Sequence, residues 1–155
     1  MDQQSPPNLN ILIVEDNEDD IAIYQRAFSK TTQINTIYCV CNGIDALKFL
    51  AHQAPFQNPS DSPPPDLILM DINMPGMKGP DLLSQIKSNP NFNFIPCIML
   101  SSSTQPADIK KCYSLGASGY LKKPISFALF IDQLNVFNTY WGQMILAHSH
   151  DTAIQ

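Results

Sequence analysis

Short apolar runs alternate along the chain with stretches whose apolar residues recur every three or four positions. Asn10–Val14 (NILIV) reads as a buried strand. Asp19 or Asp20 can then cap a helix in which Ile21, Tyr24 and Phe28 share one face. Ile34–Val40, rich in β-branched residues, predicts a second strand. Gly43–Ala51 predicts a second helix, with Ile44, Leu47 and Leu50 at helical spacing. Leu67–Met70 (LILM) and Ile95–Leu100 (IPCIML) predict the third and fourth strands. The helices that follow them are Asp81–Lys87, with Leu82, Leu83 and Ile86 inward, and Pro106–Leu115, with Ile109, Cys112 and Tyr113 on one face. Gly119–Lys122 is a short fifth strand, and Ser126–Ile145 a long final helix.

Strands alternating with helices predict an α/β fold, a doubly wound five-stranded parallel sheet covered on both faces. One domain is expected over residues 9–145, with a flexible N-terminal segment at 1–8 and a C-terminal tail at 146–155. Between the second helix and third strand, residues 52–65 (HQAPFQNPSDSPPP) hold five prolines. Proline fixes φ and removes a donor, so this insertion is an exposed loop.

Composition narrows the function classes. The chain has 155 residues, 44% apolar and 15% charged, which suits one domain with a real core. No apolar run approaches the ~20 residues that span a bilayer. The polar first ten residues lack the features of a leader, so the cytoplasm is the expected location. Nine basic against fourteen acidic side chains give a net charge of −5, and Arg26 is the only arginine. Phosphate backbones need clustered cations, so neither nucleic acid nor a membrane is an expected partner. Cys39, Cys41, Cys97 and Cys112 lack metal-ligand spacing and read as packing residues. His52, His148 and His150 fall in the loop and tail, again without ligand spacing.

In parallel α/β sheets, functional groups gather beyond the carboxyl ends of the strands. The first strand ends at Glu15-Asp16, the third at Asp71, the fourth at Ser101 and the fifth at Lys122-Lys123-Pro124. Each acid alone is an ordinary loop residue. Three together repel unless a cation sits among them. An all-oxygen set without His or Cys suits Mg²⁺ and not zinc. Asp71, central and followed by a turn through Pro75-Gly76, is the candidate nucleophile for an aspartyl phosphate. Asp16 and Asp71 are candidate direct metal ligands, Asn73 can add its backbone carbonyl, and Glu15 can act through water. Lys123 and the Ser101 hydroxyl are placed to hold phosphoryl oxygens. Ser102 and Ser103 can cap the next helix.

Four segments, ILIVEDN (11–17), LILMDINMPGMKG (67–79), IMLSSS (98–103) and GASGYLKKP (116–124), together resemble the receiver domain of bacterial two-component response regulators. The resemblance implies a flavodoxin-like sheet of order 2-1-3-4-5. It also implies phosphoryl transfer from a sensor histidine kinase to Asp71 with Mg²⁺. The acidic pair falls on Glu15 and Asp16, the switch hydroxyl on Ser101, the lysine on Lys123 and the switch aromatic on Tyr120. A cis peptide is implied at Lys123–Pro124. The insertion and long last helix further resemble small stand-alone regulators that partner phytochrome-type histidine kinases.

On a helical wheel of the last helix, Phe127, Phe130, Ile131, Leu134, Phe137, Trp141 and Ile145 form the core face. Leu129, Val136 and Tyr140 lie opposite. An outward apolar stripe is either covered by a folded-back tail or is a partner surface. Receivers commonly dimerise through helix 4, strand 5 and helix 5, so the resemblance implies a homodimer and output through protein contacts. Two other readings stay open. One is a phosphohydrolase of the haloacid-dehalogenase type, which needs a second aspartate two residues after the nucleophile; Asn73 stands there, so turnover of outside substrates is not expected. The other is a receiver-like scaffold that is never phosphorylated. Tyr120 can equally be plain core.

Overall fold

The computed structural model describes residues 8–153, with side chains as far as Met144. Ten elements alternate: β1 (Asn10–Val14), α1 (Glu18–Ser29), β2 (Thr36–Val40), α2 (Gly43–Leu50), β3 (Leu67–Asp71), α3 (Gly79–Ser88), β4 (Cys97–Ser101), α4 (Pro106–Ser114), β5 (Gly119–Lys122) and α5 (Phe127–Ala153). The strands form one parallel sheet in the order β2-β1-β3-β4-β5. Val14 pairs with Val40 and Met70, Asp71 with Leu100, and Ser101 with Lys122, so all five carboxyl ends meet along one rim.

The sheet separates two cores, which explains the apolar runs. Along β3, Ile68 and Met70 face the core shared with α2, α3 and α4, while Leu67 and Leu69 face the core under α1 and α5. β1, β3 and β4 are covered on both faces and are apolar almost throughout, whereas edge strands β2 and β5 are only half-buried. Among the described residues, no helix is long and apolar enough to cross a membrane.

Several sequence expectations shift. α1 begins at Glu18, because Asn17 is the cap and its Oδ1 accepts from Asp20 N at 3.0 Å. Asp19 and Asp20 instead fill the first turn, where the helix dipole favours acids. β2 starts at Thr36, leaving Ile34 exposed. α2 buries Gly43, Ala46, Phe49 and Leu50, so Ile44 points to solvent. α4 lies over the edge of the sheet and buries only Cys112, leaving Tyr113 outside. α5 stays helical past residue 145, through Ala153, so 146–153 does not fold back over the helix. The N-terminal segment before Asn8, the side chain of Ile145 and the tail histidines lie outside the described residues. The cis peptide among the described residues is Ala54–Pro55, and Lys123–Pro124 is trans.

The insertion at 52–65 is a chain of turns, mostly exposed. It is tethered by Phe56, whose ring lies 5.4 Å from that of Phe49, and by buried Ser62. At the far end of the sheet, a neutral network ties the α1–β2 loop to α5. Asn35 Oδ1 accepts from Leu9 N (3.2 Å) and Gln33 Nε2 (3.1 Å), and Asn35 Nδ2 donates to buried Asn138 Oδ1 at 2.8 Å. Asn135 Oδ1 accepts from Thr32 N at 3.0 Å.

Candidate functional site

Three consecutive placements build the rim. Glu15 leaves β1 with its N–H on the Val40 carbonyl (3.1 Å), which turns its side chain inward; it is 1% exposed. Asp71 ends β3 and is buried, and its Oδ1 lies 3.4 Å from Asn73 N. Lys123 follows β5, with its N–H donating to the Ser101 carbonyl at 2.7 Å. The turn after Asp71 needs Gly76 at φ +76° and Gly79 without a side chain, because a Cβ there would collide with the Asp71 carbonyl.

The result is a crowded carboxylate cluster. Glu15, Asp16 and Asp71 each offer an oxygen within 4.8 Å of the other two, with Asp16 exposed toward solvent. One ammonium pairs with two of them and with Asp20. Lys123 Nζ lies 3.3 Å from Glu15 Oε2, 3.3 Å from Asp20 Oδ2 and 3.4 Å from Asp71 Oδ2. Burial pushes the Glu15 carboxyl above its ordinary range and the charge of Asp71 pushes it further, with Lys123 opposing both. Burial alone would lower Lys123, but Tyr24, Asp71, Glu15 and Asp20 together hold it above its ordinary range. A single cation among four acids leaves net negative charge in a partly desolvated pocket. Hard oxygen donors with that surplus fit a divalent ion such as Mg²⁺.

Asp20 and Tyr24 were not anticipated. Asp20 reaches the rim because Asn17 caps α1 and the helix starts at Glu18, which puts Asp20 third in its first turn, 3.3 Å from Lys123 Nζ; Tyr24 O–H donates to Glu15 Oε2 at 3.2 Å from inside the core. A buried tyrosine hydroxyl needs a partner, which is the one signal that points to Tyr24 in advance. Ser101 is fully buried on the neighbouring strand, and its Oγ accepts from Ser103 N at 3.0 Å. Tyr120 lies apart from the acids, with its ring half-buried and turned toward the β4–α4 loop; its O–H donates to the Ser103 carbonyl at 2.9 Å. Ser103 does not cap α4 in the ordinary way, since the cap residue is Gln105. Leu129, Val136 and Tyr140 are exposed on the outer face of α5, while Phe130, Leu134 and Phe137 are buried beneath it.

The switch-point rim of a 2-1-3-4-5 sheet, lined by these acids and one lysine, defines a receiver domain. Residues 11–135 match the response regulator receiver domain family, and the chain belongs to that family. The chain is 31% identical over 144 residues to response regulator Rcp1 of Synechocystis sp. (strain ATCC 27184 / PCC 6803 / Kazusa), covering 93% of this chain and 95% of Rcp1. It is 30% identical to the phosphorylated cyanobacterial phytochrome response regulator RcpA, with a TM-score of 0.78 over 87% of this chain and 94% of that one. The Mn²⁺-bound form of response regulator Rcp1 gives a TM-score of 0.75 at 29% identity, over 86% and 94%.

Proposed function

We propose that this receiver accepts a phosphoryl group on Asp71 from a sensor histidine kinase. The observation that carries this reading is the meeting of Glu15, Asp16 and Asp71 oxygens within 4.8 Å of one another, with Lys123 shared by Glu15 and Asp71. An Asp71 carboxylate oxygen attacks the phosphorus of a phosphohistidine. An O–P bond forms as the P–N bond breaks, and the imidazole leaves with the electron pair. Asp16, Asp71 and the Asn73 carbonyl would hold Mg²⁺, with Glu15 acting through water. Mg²⁺ supplies charge neutralisation for the phosphoryl oxygens. Lys123 exchanges its carboxylate partners for a phosphoryl oxygen, and the Ser101 hydroxyl takes another. The Mn²⁺-bound form of Rcp1 supports a divalent ion at this rim.

The kinase we infer is of the phytochrome type, because RcpA, to which this chain is similar, is a phytochrome response regulator. Output runs through protein contacts at helix α4, strand β5 and helix α5. The outer face of α5 supports a homodimer there: Val136 and Tyr140 are 71% and 56% exposed, and they border an apolar groove of about 400 Å³ with Leu121, Phe137 and Trp141.

Intact mass and size-exclusion chromatography on one sample, before and after a small phosphodonor with Mg²⁺, test both parts. The expected result is a gain of one phosphoryl group that needs Mg²⁺, is lost in Asp71→Asn, and is accompanied by a shift toward dimer. Labelling of Asp71→Asn at the wild-type level would overturn the assignment of the acceptor. A mass gain without a size shift would remove the dimer.

A further inference from the structure

The β4–α4 loop converges on one residue that the site chemistry leaves unexplained. Ser103 uses every polar atom it has. Its N–H donates to Ser101 Oγ at 3.0 Å, and its carbonyl accepts from Tyr120 O–H at 2.9 Å. Its own hydroxyl donates to Asp108 Oδ2 at 2.6 Å and accepts from Gln105 N at 3.2 Å. Asp108 lies in the first turn of α4, and Gln105 is that helix's cap residue. Neither side chain touches the acidic rim.

We propose that Ser103 and Asp108 form a positioning latch that couples the Ser101 hydroxyl and the Tyr120 ring to the start of α4. This deepens the receiver reading and rests on it. The coupling is mechanical. For Ser101 to turn its hydroxyl toward a phosphoryl group on Asp71, the Ser103 N–H must follow or release it. The Ser103 backbone cannot move without disturbing the Tyr120 hydrogen bond on its other side. The Ser103 hydroxyl then carries the same displacement into α4 through a short hydrogen bond to a carboxylate, which is stronger than a neutral one. Without that side chain the loop still holds Ser101 and Tyr120 through its backbone, but α4 is uncoupled from them.

Ser103→Ala isolates the latch, because it removes the hydroxyl and keeps both backbone groups. Asp108→Ala removes the other partner, and Asp108→Asn keeps an acceptor oxygen. The measurement is hydrogen exchange of the α4 amides in each full-length protein, with and without a small phosphodonor and Mg²⁺, alongside intact mass. In the wild type, phosphorylation should change α4 protection. In Ser103→Ala and Asp108→Ala the phosphoryl gain should persist, while the change in α4 protection falls by about tenfold, the weight of a charge-assisted hydrogen bond. Asp108→Asn should recover part of it. A wild-type-sized change in both alanine variants would overturn the latch. So would loss of phosphoryl uptake in Ser103→Ala alone, since that would put Ser103 in the chemistry. Absence of uptake in the wild type would overturn the receiver function itself, and the latch with it.

Discussion

The two ends of the sheet close the same β-strands with opposite chemistry. At the carboxyl ends, Glu15, Asp20 and Asp71 share one lysine and Asp16 joins Glu15 and Asp71, so repulsion is left over. At the amino ends, Asn35, Asn138, Gln33 and Thr32 join neutral donors to neutral acceptors across 103 residues of sequence. The network is neutral: Asn138 Nδ2 is left without a partner, but no charge remains to attract a ligand. The acidic rim is only partly compensated by Lys123 and leaves a deficit that a cation from outside would fill. The amino end therefore holds the fold in shape, and the carboxyl end gives up stability to leave chemistry available.

The amide end should show the larger stability effect. Asn35→Ala would orphan Leu9 N and Asn138 Oδ1 together, and should cost about 2–3 kcal/mol in urea unfolding. That cost should be the same in Mg²⁺ and in chelator. A cost that shrank on adding Mg²⁺ would dissolve the contrast between the ends. At the rim, Lys123→Met removes the shared ammonium. In chelator it should cost about 1–2 kcal/mol, less than a fully buried pair because Lys123 is 22% exposed. Here Mg²⁺ should restore much of the loss, since a second cation can stand in for the first.

Mg²⁺ itself should stabilise the wild type by about 1 kcal/mol once it exceeds its dissociation constant several-fold. Asp16→Asn should remove most of that increment while leaving stability in chelator unchanged or raised. Melting curves of the two proteins with and without Mg²⁺ decide it, and an undiminished increment in the variant would take Asp16 out of the metal site.

Much of this contrast was readable in the chain, unevenly. Strand β5 was anticipated residue for residue, because Gly119 and the Lys-Lys-Pro sequence bracket it. Glu15-Asp16 and Asp71 were readable because each directly follows an apolar run. Asp20 was not, since its place depends on which of Asn17, Asp19 and Asp20 caps α1. That choice is made by side-chain geometry and not by composition. The amide end left one trace: on the α5 wheel, Asn138 falls about 20° from Phe127, a polar residue on an apolar face. Its partner Asn35 was out of reach, because only the folded chain brings the two together.

The smallest effect is a pH dependence that belongs to the rim alone. Burial first, and Asp71 second, raise the Glu15 carboxyl above its ordinary 4.5. In chelator the folded protein therefore keeps a proton on Glu15 at pH values where the unfolded chain has lost it. That contribution to stability is fully present below pH 4.5 and is lost as pH rises through the folded-state titration. Glu15→Gln should flatten this stretch of the stability profile, and Asp71→Asn should shorten it by removing the second cause. Adding Mg²⁺ should reverse the slope, because the ion favours the ionised carboxylate. Asn35→Ala should lower the whole curve without changing its shape, since Asn35 bonds only to amide groups, which carry no titratable proton. Urea midpoints from pH 4 to 7, with and without Mg²⁺, separate these outcomes. A slope that survives Glu15→Gln unchanged would mean that another group carries it, and that the rim's surplus charge is held elsewhere than at Glu15.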